Sequence, residues 1–330
     1  MNTGREQGRL LYTFHRKVLD LPPGSQAIRT MRETSPALRL DPVADAAPAL
    51  GEAPFDFTPA AAPSAPVLFA SPHSGSHYPA TMQEALCVPL IDVRRTEDAF
   101  IDELFARAPT LGAGLVAARY GRSVVDLNRD PHELDAAMFR DGPPRPCALP
   151  TARVEAGLGC LPRVGARGEA IYARLLSRAE GEERLVHVHD AYHLHLAAEL
   201  DALRRAHGHA LLIDCHSMPS LQPGRRTLTD IVLGDRFGSS ADPRLMSRIE
   251  RSFRAQGFTV ARNAPYAGGY TTRRYGRPRR GVHALQVEIN RGLYMDEQRI
   301  TRTSGFAALK DALQQVMAEI IDAARLLPRA

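Results

Sequence analysis

The sequence predicts an α/β fold in which a mixed, mostly parallel central sheet is flanked by helices. Two observations lead to this fold class. Short apolar runs typical of buried strands alternate along the chain with longer segments of helical periodicity. These apolar runs end in polar or turn-forming residues, as strands do where they leave a sheet. Ligands of such sheets bind beyond the carboxyl ends of the strands, so the polar residues there are the candidates for function.

The first 65 residues are predicted to be flexible or loosely ordered. Residues 41–66 are rich in Pro and Ala, a composition typical of an extended, flexible segment. Regular alternation of apolar runs begins near Val67. We therefore expect an N-terminal segment over residues 1–65, followed by one folded domain over residues 66–330.

The first half of this domain predicts strands, one helix and a long loop. The run "PVLFA" (66–70) predicts a strand, and residues 94–108 predict a single helix with one apolar face. The segments "GLVAARY" (114–120) and "RSVVDLN" (122–128) predict two strands joined by a turn. Residues 134–165 carry many Gly and Pro, which predicts a loop.

The second half predicts helices and strands in alternation. Residues 168–206 predict a helical region in two pieces, and further helices are predicted over 243–256 and 303–326. The predicted strands are "HALLIDCH" (209–216), "TDIVLG" (229–234), "FTVARN" (258–263) and "HALQVEIN" (283–290). This order of elements supports the layered α/β class.

The charge and cysteine content argue against several classes of protein. The net charge is +5, but only two of the 42 basic residues are lysines and the arginines are scattered, so we predict no nucleic-acid partner. The four cysteines form no CxxC pair, which predicts reduced thiols in a cytoplasmic protein. No run of about 18 apolar residues and no signal-peptide core is present, so we predict no membrane partner.

Two predicted strand ends carry polar residues in the first half of the domain. In "FASPHSGSHYP" (69–79), His73 follows an apolar run among small residues that leave room for a ligand, although a plain loop histidine is the alternative. His77 is the weaker candidate of the two. In "RSVVDLNRDP" (122–131), strand spacing puts Asp126, Asn128 and Asp130 on one side. The alternative there is a turn.

Two more strand ends lie in the second half. In "LLIDCHSM" (211–218), Asp214 and His216 share one strand face, while Cys215 points to the other face and is expected to pack in the core. Asp214 is then a carboxylate that could orient His216. Glu288 lies inside the apolar strand 283–290, and burial would raise its pKa toward the range of a general base. An internal salt bridge with an arginine is the alternative.

Two histidines and a buried glutamate at strand ends fit a catalytic zinc site. Such a site uses three protein ligands, an open position for water and a glutamate that accepts the proton of water. No HExxH motif is present, so a helix-borne site is not predicted. The third ligand is open among Asp98, Glu97 and Asp102. A histidine cluster over residues 187–195 is another source, or else it has a surface or core-edge role.

The motifs taken together resemble the N-formylglutamate amidohydrolase family, the N-formylglutamate deformylases of histidine breakdown. The resemblance covers roughly residues 66–300 and is specific as an ordered set. In chain order the motifs are "SPHSGSHYP", "TEDAFIDELF", "RSVVDLNRDP", "LLIDCHSMPS", "DIVLGDRFGSS", "NAPYAGGYTTRRYG" and "HALQVEINRGLYMDE". It implies a zinc-dependent amide hydrolase similar in fold to zinc carboxypeptidases and aspartoacylase, with residues 66–330 as the catalytic domain and a small anionic N-acyl amino acid as substrate.

The resemblance also implies roles for individual residues. The zinc ion, with other divalent ions as alternatives, would be held by His73, Asp98 and His216, and Glu288 would be the general base. The HxxE pair of the related enzymes has no match here, because Ser76 stands three residues after His73. The residues implied to contact the substrate are Asn128, Arg129, Tyr270 and Arg273.

Two alternative functions are compatible with the same sequence features. The first is an amidase or peptidase that uses the same zinc site on another N-acyl amino acid or a short peptide. The second is a non-catalytic protein that binds an anionic ligand through the arginine group at residues 273–280. Nothing in the sequence specifies the oligomeric state.

Overall fold

A computed structural model describes residues 50–62, 64–221 and 229–327, and it confirms the α/β class. The described part of the chain contains a seven-stranded sheet in the order β1-β3-β2-β4-β7-β5-β6. Its strands are β1 Phe55–Thr58, β2 Val67–Ser71, β3 Gly114–Ala118, β4 Ala210–Met218, β5 Ile231–Gly234, β6 Val260–Arg262 and β7 Val282–Asn290. The pairs β2–β3, β2–β4, β4–β7 and β5–β6 are parallel, while β1–β3 and β5–β7 are antiparallel.

Helices lie on both faces of this sheet. They are α1 Ala80–Gln83, α2 Leu90–Arg94, α3 Ile101–Leu104, α4 Ala152–Glu155, α5 Arg178–Arg184, α6 Ala191–His207, α7 Pro243–Ala255, α8 Tyr270–Tyr275 and α9 Gly305–Arg325. A π-helical turn, Leu185–Asp190, joins α5 to α6. The short 3₁₀ turns are Pro109–Leu111, Ala136–Met138, Pro278–Arg280 and Arg291–Leu293, and a two-stranded ribbon is formed by β8 Met295–Asp296 and β9 Thr301–Arg302. No helix among the described residues is long and apolar enough to cross a bilayer.

The sheet separates two apolar cores, and strand alternation decides which residue enters which core. On β4, Ile213 and Cys215 pack into the core formed with α7 and α9, which confirms the packing role predicted for Cys215. Leu212 points to the other core, which α6 covers. Asp214 and His216 share that second face, so the same strand that builds one core presents polar groups on the other side.

Strand β1 lies inside the segment that was predicted to be loosely ordered, and the structure corrects that prediction for residues 55–58. Phe55 and Phe57 are half-buried while Asp56 and Thr58 are exposed, which is the alternation of an edge strand. Both rings pack against the imidazole of His195, at centroid distances of 4.7 and 4.5 Å. Residues 1–49 lie outside the described part of the chain.

The single helix predicted over residues 94–108 is interrupted. Helix α2 ends at Arg94 and α3 begins at Ile101, and Phe100 between them has a left-handed backbone with φ of 67°. Of the apolar residues that predicted one helix, only Ile101 and Leu104 lie in α3, and none lies in α2. The non-helical residues between them include Asp98, whose backbone N–H donates to the carbonyl of His73 at 2.9 Å.

The second strand of the predicted hairpin, residues 122–128, is also absent. Residues 114–118 form β3, but the chain then folds into turns in which the Asp126 carboxylate accepts the backbone N–H of Asn128 at 2.9 Å. This local side-chain acceptor replaces a strand ladder. The other predicted strands and the helices over 243–256 and 303–326 are confirmed to within a few residues, and the helical region predicted over 168–206 begins later, at Arg178.

Candidate functional site

Three adjacent strands bring the predicted site residues together. His73 follows β2, His216 lies on β4, and Glu288 lies on β7 directly opposite His216 in the parallel register. All three side chains are at least 94 % buried. The site therefore sits at the carboxyl end of the sheet, as the strand-end patterns predicted.

Asp98 completes a group of three potential metal ligands, which we call the metal group (His73, Asp98 and His216). The Nδ1 atoms of the two histidines lie 3.2 Å apart, and Oδ2 of Asp98 lies 3.3 Å from one and 3.1 Å from the other. Ligands held at about 2.0–2.1 Å in a tetrahedral site are themselves roughly 3.3 Å apart. The three atoms thus have the spacing of a zinc-binding face.

The second oxygen of Asp98 is held by a different set of donors. Arg291 Nη2 donates to Oδ1 at 2.9 Å, and the hydroxyl of Ser217 donates to the same atom at 3.2 Å. Oδ2 is left facing the two histidines. Of the other acidic candidates, Glu97 instead accepts from Tyr78 and Arg94, and neither it nor Asp102 belongs to the metal group.

Each histidine of the metal group has a carboxylate on its far side. His73 Nε2 lies 2.7 Å from Asp126 Oδ1, and His216 Nε2 lies 3.0 Å from Asp214 Oδ2. A carboxylate at Nε2 holds the ring proton there and leaves Nδ1 with a lone pair for a metal. Asp214 lies close enough to contact His216, but neither of its carboxylate oxygens meets hydrogen-bond geometry, so its predicted orienting role stays a prediction.

The buried carboxylates around the two imidazoles stabilise positive charge between them. Burial alone would raise the pKa of Asp98, but hydrogen bonds from His216 and His73 hold it well below its usual range. Burial would lower the pKa of His216, yet Asp214 and Asp98 raise it well above the ordinary value. A divalent cation bound between the two Nδ1 atoms and Oδ2 of Asp98 would take the place of these protons and supply the positive charge that the buried carboxylates favour.

Glu288 lies beside the metal group with a fixed orientation. Gln286 Nε2 donates to Glu288 Oε1 at 2.6 Å, while Gln286 Oε1 accepts the backbone N–H of Gly269 at 2.9 Å. Burial raises the pKa of Glu288 to about 8, against the opposing charge of His216. A nearby cation would lower that value toward the pH range in which a general base operates.

These groups line a cavity of about 750 Å³, in which arginines outnumber acids. Among the described residues its lining includes five arginines and three carboxylates, namely Arg95, Arg122, Arg129, Arg153, Arg291, Asp98, Asp126 and Glu288. Arg122 and Arg291 are already paired, with Asp126 and Asp98. Arg129 lies 4.0 Å from Asp126, and Arg153 forms no ion pair with a carboxylate of the described residues. The cavity thus favours an anionic ligand.

Two of the four predicted substrate contacts line this cavity and two do not. Asn128 and Arg129 are part of the lining. Arg273 is half exposed and pairs with Asp130 at 3.1 Å, and the Tyr270 hydroxyl accepts from Arg274 at 2.6 Å. The substrate role of Arg273 and Tyr270 stays a prediction, and the structure gives both residues other partners.

Several residues of the lining are not among the predicted site residues. Gln286 was detectable, because it lies two residues before Glu288 on the same strand face. Arg122 stands in the same motif as Asp126 and could have been paired with it. Arg153 comes from the long Gly- and Pro-rich loop, where no periodicity indicates which side chains face a ligand.

Comparisons of sequence with known proteins give one consistent result. The model of the N-formylglutamate amidohydrolase family matches residues 65–295. A protein of Pseudomonas aeruginosa named N-formylglutamate deformylase is 34 % identical over 268 residues, which is 78 % of this chain and 91 % of that protein. A protein of the same name from Pseudomonas putida is 34 % identical over 240 residues, covering 70 % and 82 % of the two chains.

Solved structures agree with this result. The crystal structure of an N-formylglutamate amidohydrolase from Ralstonia eutropha JMP134 superposes with a TM-score of 0.78 at 33 % identity, covering 83 % of this chain and 99 % of that one. A gene product of Agrobacterium tumefaciens, Atu2144, is similar in fold, with a TM-score of 0.57 at 20 % identity over 82 % of this chain and 96 % of that one. The predicted family and fold class are confirmed by these likenesses.

Proposed function

The chain belongs to the N-formylglutamate amidohydrolase family, and from this premise we propose that it is a zinc-dependent enzyme that releases formate from N-formyl-L-glutamate. The relatives named N-formylglutamate deformylase support the reaction. The observation that carries the proposal is the meeting of the metal group and Glu288 in one arginine-rich cavity. The same assignment would place catalysis in the predicted domain, residues 66–330, to which strand β1 adds an edge.

The metal group would hold zinc through Nδ1 of His73, Nδ1 of His216 and Oδ2 of Asp98. Zinc bound there supplies Lewis acidity, which polarises a carbonyl and acidifies water. Asp126 would keep the ring proton of His73 on Nε2, and Asp214, 3.0 Å from Nε2 of His216, would do the same for that ring, so that both Nδ1 atoms are available as ligands.

Glu288 would move the protons of the reaction. Its carboxylate accepts a proton from the attacking water as the new C–O bond to the formyl carbon forms. It then delivers that proton to the amide nitrogen, which leaves as the amino group of glutamate when the C–N bond breaks. Gln286 keeps the carboxylate aimed by donating to Oε1, and the products are formate and glutamate.

Two lining arginines would bind the substrate's own carboxylates: Arg153, and Arg129, whose distance to Asp126 is 4.0 Å. The pKa of Arg129 is lowered first by burial and then by the charges of Arg122 and Arg153, against the opposing effect of Asp126. A carboxylate that pairs with Arg129 would relieve this electrostatic strain, and a guanidinium can bind it with two parallel hydrogen bonds. We assign one carboxylate of N-formyl-L-glutamate to Arg129 with Asn128, and the second to Arg153.

Formate release by the purified protein tests this function. We expect kcat/KM to be highest for N-formyl-L-glutamate and lower for N-acetyl-L-glutamate. N-formyl-L-glutamine, which lacks one carboxylate, should be roughly 10- to 100-fold poorer, because a hydrogen bond to a charged group is lost. Faster turnover of another N-acyl amino acid or a short peptide would favour a different amidase. Binding without turnover of any of them would favour a non-catalytic protein.

Replacing Asp126 by asparagine should weaken the site without removing a ligand. We expect zinc affinity, measured by competition with a chromophoric chelator, to fall roughly 10- to 100-fold, because the proton on His73 Nε2 loses its carboxylate acceptor. Asp135→Asn is the matched control, since Asp135 pairs with Arg163 at 2.7 Å and does not line the cavity. Equal zinc affinity in the Asp126→Asn and parent proteins would contradict the orienting role.

A further inference from the structure

Two buried histidines outside the metal group lie side by side where α6 begins. His189 is in the π-helical turn Leu185–Asp190 and His193 is in the first turn of α6, with ring centroids 4.5 Å apart. Only 1–2 % of either residue is exposed. Neither belongs to the potential metal-ligand group of the described residues, so the metal role considered for this cluster has no geometric support. A π-helical turn is rare and frequently marks a functional site.

Both imidazoles donate to the same irregular segment of backbone. His193 Nε2 lies 2.8 Å from the carbonyl oxygen of Leu127, and His189 Nε2 lies 3.0 Å from that of Arg129. A carbonyl can only accept, so each ring carries its proton on Nε2. The two bonds therefore hold the backbone on both sides of Asn128, in a segment with no strand or helix of its own.

That segment carries side chains of the site on alternate residues. Asp126 contacts the Nε2 atom of His73 at 2.7 Å. Asn128 Nδ2 lies 3.2 Å from the Nε2 atom of His216, and Asn128 Oδ1 accepts the backbone N–H of Thr271 at 2.9 Å. A shift of this segment would move the groups behind both histidine ligands at once.

The ring of His193 is itself fixed from the other side. The hydroxyl of Tyr275 lies 3.0 Å from His193 Nδ1 and 2.9 Å from the backbone carbonyl oxygen of His193, two acceptors between which its one proton is shared. Tyr270 packs its ring edge-on against the same imidazole, with centroids 5.2 Å apart. Burial, first of all, lowers the pKa of His193 well below its usual value, which keeps the ring neutral. A neutral ring with its proton at Nε2 suits donation to Leu127.

We propose that His189 and His193 are positioning residues that lock residues 126–129, and through them the two histidine ligands and Arg129, into the geometry that the reaction needs. This inference rests on the proposed function for its catalytic meaning. We call the two hydrogen bonds from these histidines to the carbonyls of Leu127 and Arg129 the lock. The lock is a property of the fold, because it joins α6 and the π-helical turn to residues 126–129. Neither histidine touches the reacting atoms, so their effect on turnover is indirect.

Three variants of the full-length protein test the inference. His193→Ala removes the donor to Leu127, whereas His193→Gln keeps an amide donor near the position of Nε2. His209→Ala is the matched control, because His209 is equally buried and its Nε2 donates to the carbonyl of Ala324 at 2.8 Å, away from the cavity. The control should lose a similar amount of thermal stability without any effect on the site.

Two readouts separate a positioning role from a structural one. We expect His193→Ala to speed amide hydrogen exchange in peptides that cover residues 124–131 and to weaken zinc binding about tenfold or more, measured by chelator competition. His193→Gln should restore most of both, and His209→Ala should match the parent. Parent-like exchange and zinc affinity in His193→Ala, or equal changes in His209→Ala, would overturn the inference.

The exchange measurement does not depend on the proposed function. If the parent protein released no formate from N-formyl-L-glutamate, the proposed function would fail, while faster exchange over residues 124–131 in His193→Ala alone would still support the lock. If the parent is active and the exchange of this segment does not change, the lock fails and the function stands.

Discussion

The Glu288→Gln protein should release formate from N-formyl-L-glutamate roughly 10²- to 10⁴-fold more slowly than the parent, the range expected when a general base is removed. Glutamine has nearly the same shape and can still accept the hydrogen bond that Gln286 donates to Oε1. It cannot accept a proton from water. Steady-state kinetics on N-formyl-L-glutamate would show the loss in kcat, with KM changed much less.

Zinc content and the folded state should be unchanged in this variant, because Glu288 is outside the metal group. Metal analysis and circular dichroism on the same preparation provide that control. A kcat within tenfold of the parent value would remove Glu288 from the catalytic role. It would also revive the interpretation of the buried carboxylate as a purely structural group.

The same pair of proteins should differ in how stability depends on pH. With a pKa of about 8 in the fold and an ordinary value of 4.5, Glu288 keeps a proton that the unfolded chain has already released between those pH values. Its contribution to stability is therefore present below pH 4.5 and is lost as the pH rises toward 8. Thermal melts of the zinc-free proteins should show Glu288→Gln gaining stability relative to the parent between pH 6 and 8.5. A pH-independent difference would contradict the raised pKa.

The Asp98→Asn protein should lose at least about 100-fold in zinc affinity and in activity, because loss of a ligand exceeds the 10- to 100-fold effect of losing an orienting partner. The matched control is Glu97→Gln, its neighbour in the chain. Glu97 is also buried and paired with an arginine, Arg94 at 3.1 Å, but it contributes no atom to the metal group.

Removing zinc from the parent protein with a chelator should cause the same loss of activity as the Asp98→Asn substitution. Prolonged dialysis against a strong chelator should abolish formate release, and zinc should restore it. Other divalent ions tested in the same way would define which metal supports turnover. Full activity in the zinc-free protein, or equal losses in Asp98→Asn and Glu97→Gln, would exclude the metal role of Asp98.

The central strands and their polar ends could be predicted because their signals are local. In β4 and β7, mainly apolar runs are interrupted by polar residues that include Asp214, His216 and Glu288, and these runs reveal both the strand and the face on which its polar residues lie. The packing role of Cys215 follows from the same alternation. Such period-2 patterns need no knowledge of the tertiary structure.

The positions of Asp98 and Asp126, which approach the strand ends from other segments, could not be predicted from such local patterns. Asp98 reaches the metal group because the chain leaves the helix after Arg94 and takes a left-handed turn at Phe100, against the helical spacing of its apolar residues. Asp126 reaches His73 from turns that are held by histidines some 60 positions later in the chain. In both cases contacts that are distant in sequence override the local pattern.

Strand β1 has a consequence for the solubility of the protein. Residues 55–58 pair along the outer side of β3, so the backbone of Leu115–Ala118 does not form a free sheet edge there. A chain shortened to begin at residue 66 would expose this edge together with the apolar surface that Phe55 and Phe57 cover. Exposed edges recruit strands from other molecules, and aggregation follows. Strand β1 is then itself the edge of the sheet, but it is only four residues long and its exposed residues, Asp56 and Thr58, are polar, so it is a poorer template for another strand than the apolar β3 would be.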